Sequence, residues 1–269
     1  MAETIPAPLK GKVAIVTGGS RGIGAGIAKA FARNGCTHIA ITYLQNKDAA
    51  NQTLDAIREI NSSIKTCAFS ADVVDPECGK KVVEEALKQL ETDRIDIMVS
   101  NAALVDMDAF PPAAGLDYES WSTMFAAEAW TPFALSREAV KYMPKGGRII
   151  LISSIASKMP IGDPLTVYAA SKAALDAVAK SLAAIYGTTY GVTVNSISVG
   201  ATRTDTMVKA MEKMGPGALQ QSENMSLLKR VGEVEDVADI VAFVASPQAG
   251  WITGNAVPAN GGALSALQG

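Results

Sequence analysis

Seven short apolar runs alternate with helix-length segments along this chain, and that alternation restricts the fold more than any other feature. The runs are Val13–Thr17, His38–Tyr43, Lys65–Phe69, Ile95–Ser100, Arg148–Ser153, Val192–Ser198 and Gly254–Pro258. Between them, helical spacing of apolar residues marks 22–34, with Ile23, Ile27, Ala30 and Phe31 on one side and Asn34-Gly35 as a stop. Further helices are expected over Asp48–Ile60, 76–90, 117–143, Thr166–Tyr190 and Glu235–Ala245. Strands that are apolar on both sides and alternate with helices make a parallel sheet covered on both faces, an α/β doubly wound architecture. No linker or repeat divides the sequence. Residues 1–10 read as a loose arm, 11–269 as a single domain, and 203–230 as a methionine-rich irregular stretch.

Composition narrows the function classes. With 269 residues the chain needs no disulfide staples. Its net charge of −3 gives no reason to expect nucleic acid or an anionic membrane as partner. The N-terminus has no apolar signal core, and no apolar run is long enough to span a bilayer, so a soluble cytoplasmic protein is the expectation. Cys36, Cys67 and Cys78 are odd in number and lack metal-site spacing, which points to free buried thiols. His38 is the only histidine, which excludes histidine-based triads and multi-histidine metal sites.

Gly18, Gly22 and Gly24 fall between the first strand and the first helix. A turn that brings backbone N–H groups against a pyrophosphate at a helix N-terminus has no room for side chains there. The spacing is G-x-x-x-G-x-G, and the fold expectation becomes a single-domain, Rossmann-like sheet of about seven strands. A site for NAD wants an acid about 20 residues on, at the end of the second strand, for the ribose 2′-hydroxyl. Tyr43 to Lys47 contains none, and Asp48 reads as a helix start. Arg21 and Lys47 are cations that a 2′-phosphate would favour, so NADP(H) is expected over NAD(H).

Tyr168 and Lys172 stand one helical turn apart, about 6 Å on one face. A phenol with a pKa of about 10 is a poor acid or base at neutral pH, and a neighbouring ammonium lowers it. Ser154 closes the fifth strand and faces the same crevice, where its hydroxyl can hydrogen-bond a carbonyl.

With these in hand, the chain resembles the short-chain dehydrogenase/reductase family from about Leu9 to Ala263. TGGSRGIG at 17–24, ADV at 71–73, SNAA at 100–103, ISS at 152–154, YAASK at 168–172, VTVNSIS at 192–198 and WITG at 251–254 fall in family order. KGGRIILISS at 145–154 and LLKRVGEVEDVADIVAFVAS at 227–246 look most like fungal naphthol reductases and versicolorin-type ketoreductases. The resemblance implies that Tyr168 donates or accepts the proton, that Lys172 lowers its pKa and binds the nicotinamide ribose, and that Ser154 polarises the carbonyl. It implies further cofactor contacts from Gly18, Ser20, Arg21, Gly22, Ile23, Gly24, Tyr43, Asp72, Val73, Asn101 and Ala102. Val199, Gly200, Thr202 and Thr204 would approach the nicotinamide carboxamide. A homotetramer or homodimer paired through the helices at 117–143 and 166–190 is also implied.

Four positions depart from the family pattern. Glu128 stands where an asparagine usually holds a relay water; it could meet Lys172 through water or as an ion pair, turn outward, or alter the relay. Ala103 replaces a glycine, Val199 a proline, and Asn260 an aspartate. Met207, Met211, Met214 and Met225 fall in the segment the resemblance makes a substrate lid, with Trp130 and Met159 as further pocket candidates. Asp163 reads as a loop acid that could bind a cationic amine. The expected function is NADPH-dependent reduction of a carbonyl or imine on a bulky apolar secondary metabolite. The alternative is a non-redox cyclase, isomerase or epimerase that keeps the nucleotide bound.

Overall fold

The computed structural model describes residues 7–104 and 111–263. Seven strands form one parallel sheet in the order β3-β2-β1-β4-β5-β6-β7. They are β1 (Val13–Val16), β2 (His38–Tyr43), β3 (Lys65–Ser70), β4 (Ile97–Ser100), β5 (Arg148–Ser154), β6 (Thr193–Val199) and β7 (Ala256–Ala259). The chain reverses direction across the sheet between β1 and β4, and such a switch opens a crevice beyond the carboxyl ends of the strands.

Both faces are covered, as the apolar runs require. Ala14, Val16, Ile39, Ile41, Ile150 and Ile197 pack under α1 (Gly22–Arg33), α2 (Lys47–Ile60) and the last helix, α9 (Val234–Ala245). Val13, Ile15, Met98, Ile149, Leu151 and Val194 pack under α3 (Cys78–Leu90), α5 (Thr131–Ala139) and α6 (Thr166–Tyr190). Period-two alternation sends neighbouring strand residues to opposite cores.

Three expectations change. The helix expected over 117–143 is broken into α4 (Tyr118–Phe125), a π-turn at Ala126–Trp130, α5, and a short 3-10 turn at Val140–Tyr142. The irregular stretch contains two helices, α7 (Asp205–Met214) and α8 (Ala218–Met225), separated where Gly215 and Gly217 take positive φ. The arm is tied down from Leu9, which is fully buried and donates its N–H to Asn34; residues 1–6 lie outside the described residues.

The three thiols are free and buried; burial pushes Cys36 and Cys67 up to about 12 and Cys78 to about 11, out of nucleophilic range. His38 opens β2, at the strand end opposite the crevice, beside Thr37. No helix among the described residues is long and apolar enough to cross a membrane.

Candidate active site

The glycine turn is built as a cradle. Gly18 (φ 64°) and Gly22 (φ 53°) adopt left-handed backbone. A Cβ at position 24 would lie 2.2 Å from the Gly18 carbonyl oxygen and 2.5 Å from Asn101 Nδ2. The N-terminus of α1 has no side-chain cap at Arg21 and no acid in its first turn. Its leading N–H groups and the positive end of its dipole are left for an anion, so these residues fit a dinucleotide pyrophosphate.

Polar contacts fix the turn against the strand beyond it. Thr17 Oγ1 accepts from the N–H groups of Asn101 and Ala102, both at 3.0 Å. Asn101 Nδ2 donates to the carbonyls of Thr17 at 2.9 Å and Gly18 at 3.2 Å. The Asn101 amide therefore braces the turn. Thr204 lies over it from the far side of the sheet, since a Cβ on Gly22 would meet Thr204 Cγ2 at 3.3 Å; Thr204 Oγ1 also caps α7 through Met207 N–H. Thr202 is buried and donates its hydroxyl proton to Gly200. Asn260 Nδ2 donates to Ser198, and its backbone fills the space beside Gly200, holding the Val199-Gly200 bend. Val199 itself is buried in the sheet core.

The segment from Tyr43 to Lys47 carries no acid, and Asp48 lies in the first turn of α2. Tyr43 ends β2 half-buried; Asn46 caps α2 by accepting from Ala49 N–H; Arg21 and Lys47 are exposed. Ser20 offers its carbonyl to Thr53, and Ile23 packs on the core beneath the cradle. Asp72 is exposed and accepts from Val74 N–H with Oδ1, and the Val73 carbonyl accepts from Thr131 Oγ1.

Ser154, Tyr168 and Lys172 come together at the carboxyl end of β5. Tyr168 hydrogen-bonds the Ser154 side chain, and Lys172 Nζ lies 5.6 Å from the centre of the Tyr168 ring. Lys172 is buried and donates to the Ile152 carbonyl at 2.8 Å. Glu128 is turned inward, 1 % exposed, with Oε2 only 2.7 Å from Lys172 Nζ. The π-turn explains the orientation: Thr131 N–H bonds the Ala126 carbonyl, five residues back, and the wider turn swings Glu128 onto α6. Glu128 Oε1 accepts from Leu104 N–H. A continuous chain of contacts thus runs from the cradle through Asn101 and Leu104 to Glu128, Lys172 and Tyr168.

This contact answers the question left open by Glu128, in favour of a direct ion pair. It also adds to the electrostatics of Tyr168, on which Lys172 acts downward as expected. Burial pushes the phenol up; the Lys172 ammonium pulls it down; the Glu128 carboxylate pushes it up again; the Ser154 hydrogen bond lowers it in part. The net result lies above the ordinary phenol range. Burial works against the charge of Lys172, but Glu128, with Tyr168 and Asp176, more than offsets it and holds the ammonium above its usual value. The phenol therefore carries its proton at neutral pH and can give it, while the ammonium stays charged.

Several pocket candidates have local partners in the structure. Trp130 is engaged at the surface: its Nε1 donates to Pro76 at 3.0 Å, and its ring, the Phe133 ring and the Arg137 guanidinium pack together in a triangle. Asp163 Oδ1 accepts from Ala113 N–H and Thr166 Oγ1, so its carboxylate ties the 111–115 segment to the start of α6. Met207 and Met211 are half-buried on α7, where Met211 Sδ accepts from Ser222 of α8; Met159 is half-buried after β5. A cleft of ≈ 470 Å³ bounded by Ile155, Met225, Leu228 and Ile240 borders neither Tyr168 nor the glycine turn. Leu104, Leu116, Phe125 and Leu165 share with Tyr168 a small apolar cluster packed on Met124 and Val167. Sequence reading missed these four; the apolar i, i+3 and i+4 spacing of Leu165 with Tyr168 and Ala169 was the one local signal.

Comparison with known proteins bears on family and fold. The family model described as enoyl-(acyl carrier protein) reductase matches residues 18–263. The short chain dehydrogenase penD of Penicillium thymicola is 39% identical over 266 residues, covering 97% of this chain and 95% of that protein. Hydroxynaphthalene reductase arp2 of Aspergillus fumigatus is 35% identical, covering 92% and 90%. The angucycline C-6 ketoreductase LanV with bound NADP superposes with a TM-score of 0.85 at 31% identity, covering 96% and 97%. With its parallel seven-stranded sheet, glycine turn and Ser154–Tyr168–Lys172 cluster, the chain belongs to the short-chain dehydrogenase/reductase family.

Proposed function

We propose that this protein is an NADPH-dependent reductase of a carbonyl or imine on a bulky, apolar secondary metabolite of polyketide, aromatic or alkaloid type. The observation that carries this reading is the Ser154–Tyr168 hydrogen bond beside the buried Lys172, joined by contacts to the glycine cradle. The bound nucleotide would supply hydride to the carbonyl carbon. Tyr168 gives its hydroxyl proton to the carbonyl oxygen, and hydride plus proton balance the alcohol product. Ser154 Oγ hydrogen-bonds that oxygen and orients it. Lys172 holds positive charge beneath the forming tyrosinate.

Arg21 and Lys47, with no acid between Tyr43 and Lys47, support NADPH over NADH. The apolar cluster that Leu104, Leu116, Phe125 and Leu165 form with Tyr168 supports a bulky apolar substrate, as do relatives named for hydroxynaphthalene and angucycline reduction. A homodimer or homotetramer in the cytoplasm completes the proposal. In steady-state assays on a polycyclic aromatic ketone, NADPH should support turnover at least about tenfold better than NADH, which is ~1.4 kcal/mol. Equal support from NADH would overturn the cofactor assignment. Product formed with no nicotinamide consumed would favour the cyclase or isomerase alternative.

A further inference from the structure

Proton donation by Tyr168 needs Ser154 and Lys172; it does not explain why a carboxylate is buried against the ammonium. Burying Glu128 and Lys172 together is expensive unless their geometry is close, and replacing such a pair by neutral groups is often tolerated. The structure supplies the close geometry on both sides of the carboxylate. Oε2 meets Lys172 Nζ at 2.7 Å, and Oε1 accepts from Leu104 N–H. The π-turn at Ala126–Trp130 departs from regular helix at the position that delivers this contact. Such turns persist where the surroundings hold them.

We propose that Glu128 is a positioning residue that clamps and screens the Lys172 ammonium, so that Tyr168 stays a protonated phenol, the form that donates to a carbonyl oxygen. The proposal rests on the reductase reading above. An unpaired ammonium one turn away would stabilise the phenolate, which is the form that accepts a proton from an alcohol. A carboxylate paired with the ammonium offsets part of that stabilisation, while the larger effect of Lys172 on the phenol remains. Burial is the largest cause of the phenol's upward direction, and the Glu128 carboxylate adds to it.

The groups that face the Tyr168–Lys172 pair are few. From α6 come the two residues themselves and Asp176; from the π-turn, Glu128; from β5, the Ser154 hydroxyl. Asp176 is already engaged, its two oxygens accepting from Ser157 Oγ and Ser196 Oγ at 2.7 Å each. Glu128 is therefore the carboxylate in direct contact with the ammonium.

The test is an optical titration of the full chain, free of nucleotide and substrate. The phenolate absorption band is followed as pH rises, and the Tyr168→Phe derivative of each protein is subtracted to isolate Tyr168. In the wild type, Tyr168 should titrate at or above the ordinary phenol range. In Glu128→Gln the midpoint should fall by about one to two pH units. Glu128→Asn should shift it the same way and serves if the glutamine variant folds poorly. In the same variants the rising limb of the pH–rate profile for alcohol oxidation should move to lower pH by the same roughly one to two units, following the phenolate. A wild-type Tyr168 that titrates below the ordinary phenol range overturns the proposal without any variant. So does an unchanged or raised midpoint in folded Glu128→Gln or Glu128→Asn. The titration needs no turnover, so a protein that reduces no ketone can still show the shift. Conversely, an unshifted titration in an active reductase sinks the Glu128 role alone.

Discussion

Replacing Tyr168 with phenylalanine should lower kcat/KM for carbonyl reduction by about a hundred- to ten-thousand-fold while leaving nucleotide affinity nearly unchanged. That range is what a positioned proton donor contributes to a rate. The change removes one oxygen and keeps the ring packed on Met124 and Val167, so it tests chemistry rather than folding. The split is the informative part. Calorimetric titration with NADPH should match the wild type within a few-fold, because the cradle residues at Gly18, Gly22 and Gly24 are untouched. A loss of less than about tenfold in rate would mean that the proton comes from another group.

The second large effect concerns stability. Lys172→Met should destabilise the fold by ~3–5 kcal/mol, measured by urea unfolding, because it leaves the Glu128 carboxylate buried without its counter-charge. Adding Glu128→Gln to that variant should recover a large part of the loss, although it removes a second charged group. This recovery separates a buried-charge penalty from a packing defect, since a cavity left by the lysine stem would not be repaired at Glu128. If Lys172→Met lost less than ~1 kcal/mol, or if the double variant were less stable than the single, the ion pair would not carry the energetic weight argued for it.

The sheet was readable because its signal is local and repeated. Strands apolar on both faces are recognisable from composition alone, and the glycine turn marks where the first of them ends. Thr166–Tyr190 was bounded correctly because Gly191 stops it in left-handed conformation. The π-turn was not readable. AAEAW at 126–130 has ordinary helix formers throughout, and the extra residue per turn is decided by a contact with Lys172, 44 positions away in sequence. The misplacement of Trp130 follows from ignoring helix geometry: residues two apart on a helix face opposite ways, so a buried Glu128 sends Trp130 outward. The helices α7 and α8 were legible in principle. Thr204 caps α7, Asp205 lies in its first turn and Lys213 in its last, but the run of methionines drew the reading toward an irregular stretch. Asp163 shows the limit of residue type as a guide, for its carboxylate closes a loop.

Hydride delivery to a carbonyl carbon in this crevice can be followed with one label. NADPH carrying deuterium at the transferable position of its reduced ring, incubated with a polycyclic ketone, should yield an alcohol with deuterium on the carbinol carbon, in an amount equal to the nucleotide oxidised. The Tyr168→Phe variant should form almost none of it. A product that forms without deuterium and without nucleotide oxidation would contradict the assignment of this chain as a reductase.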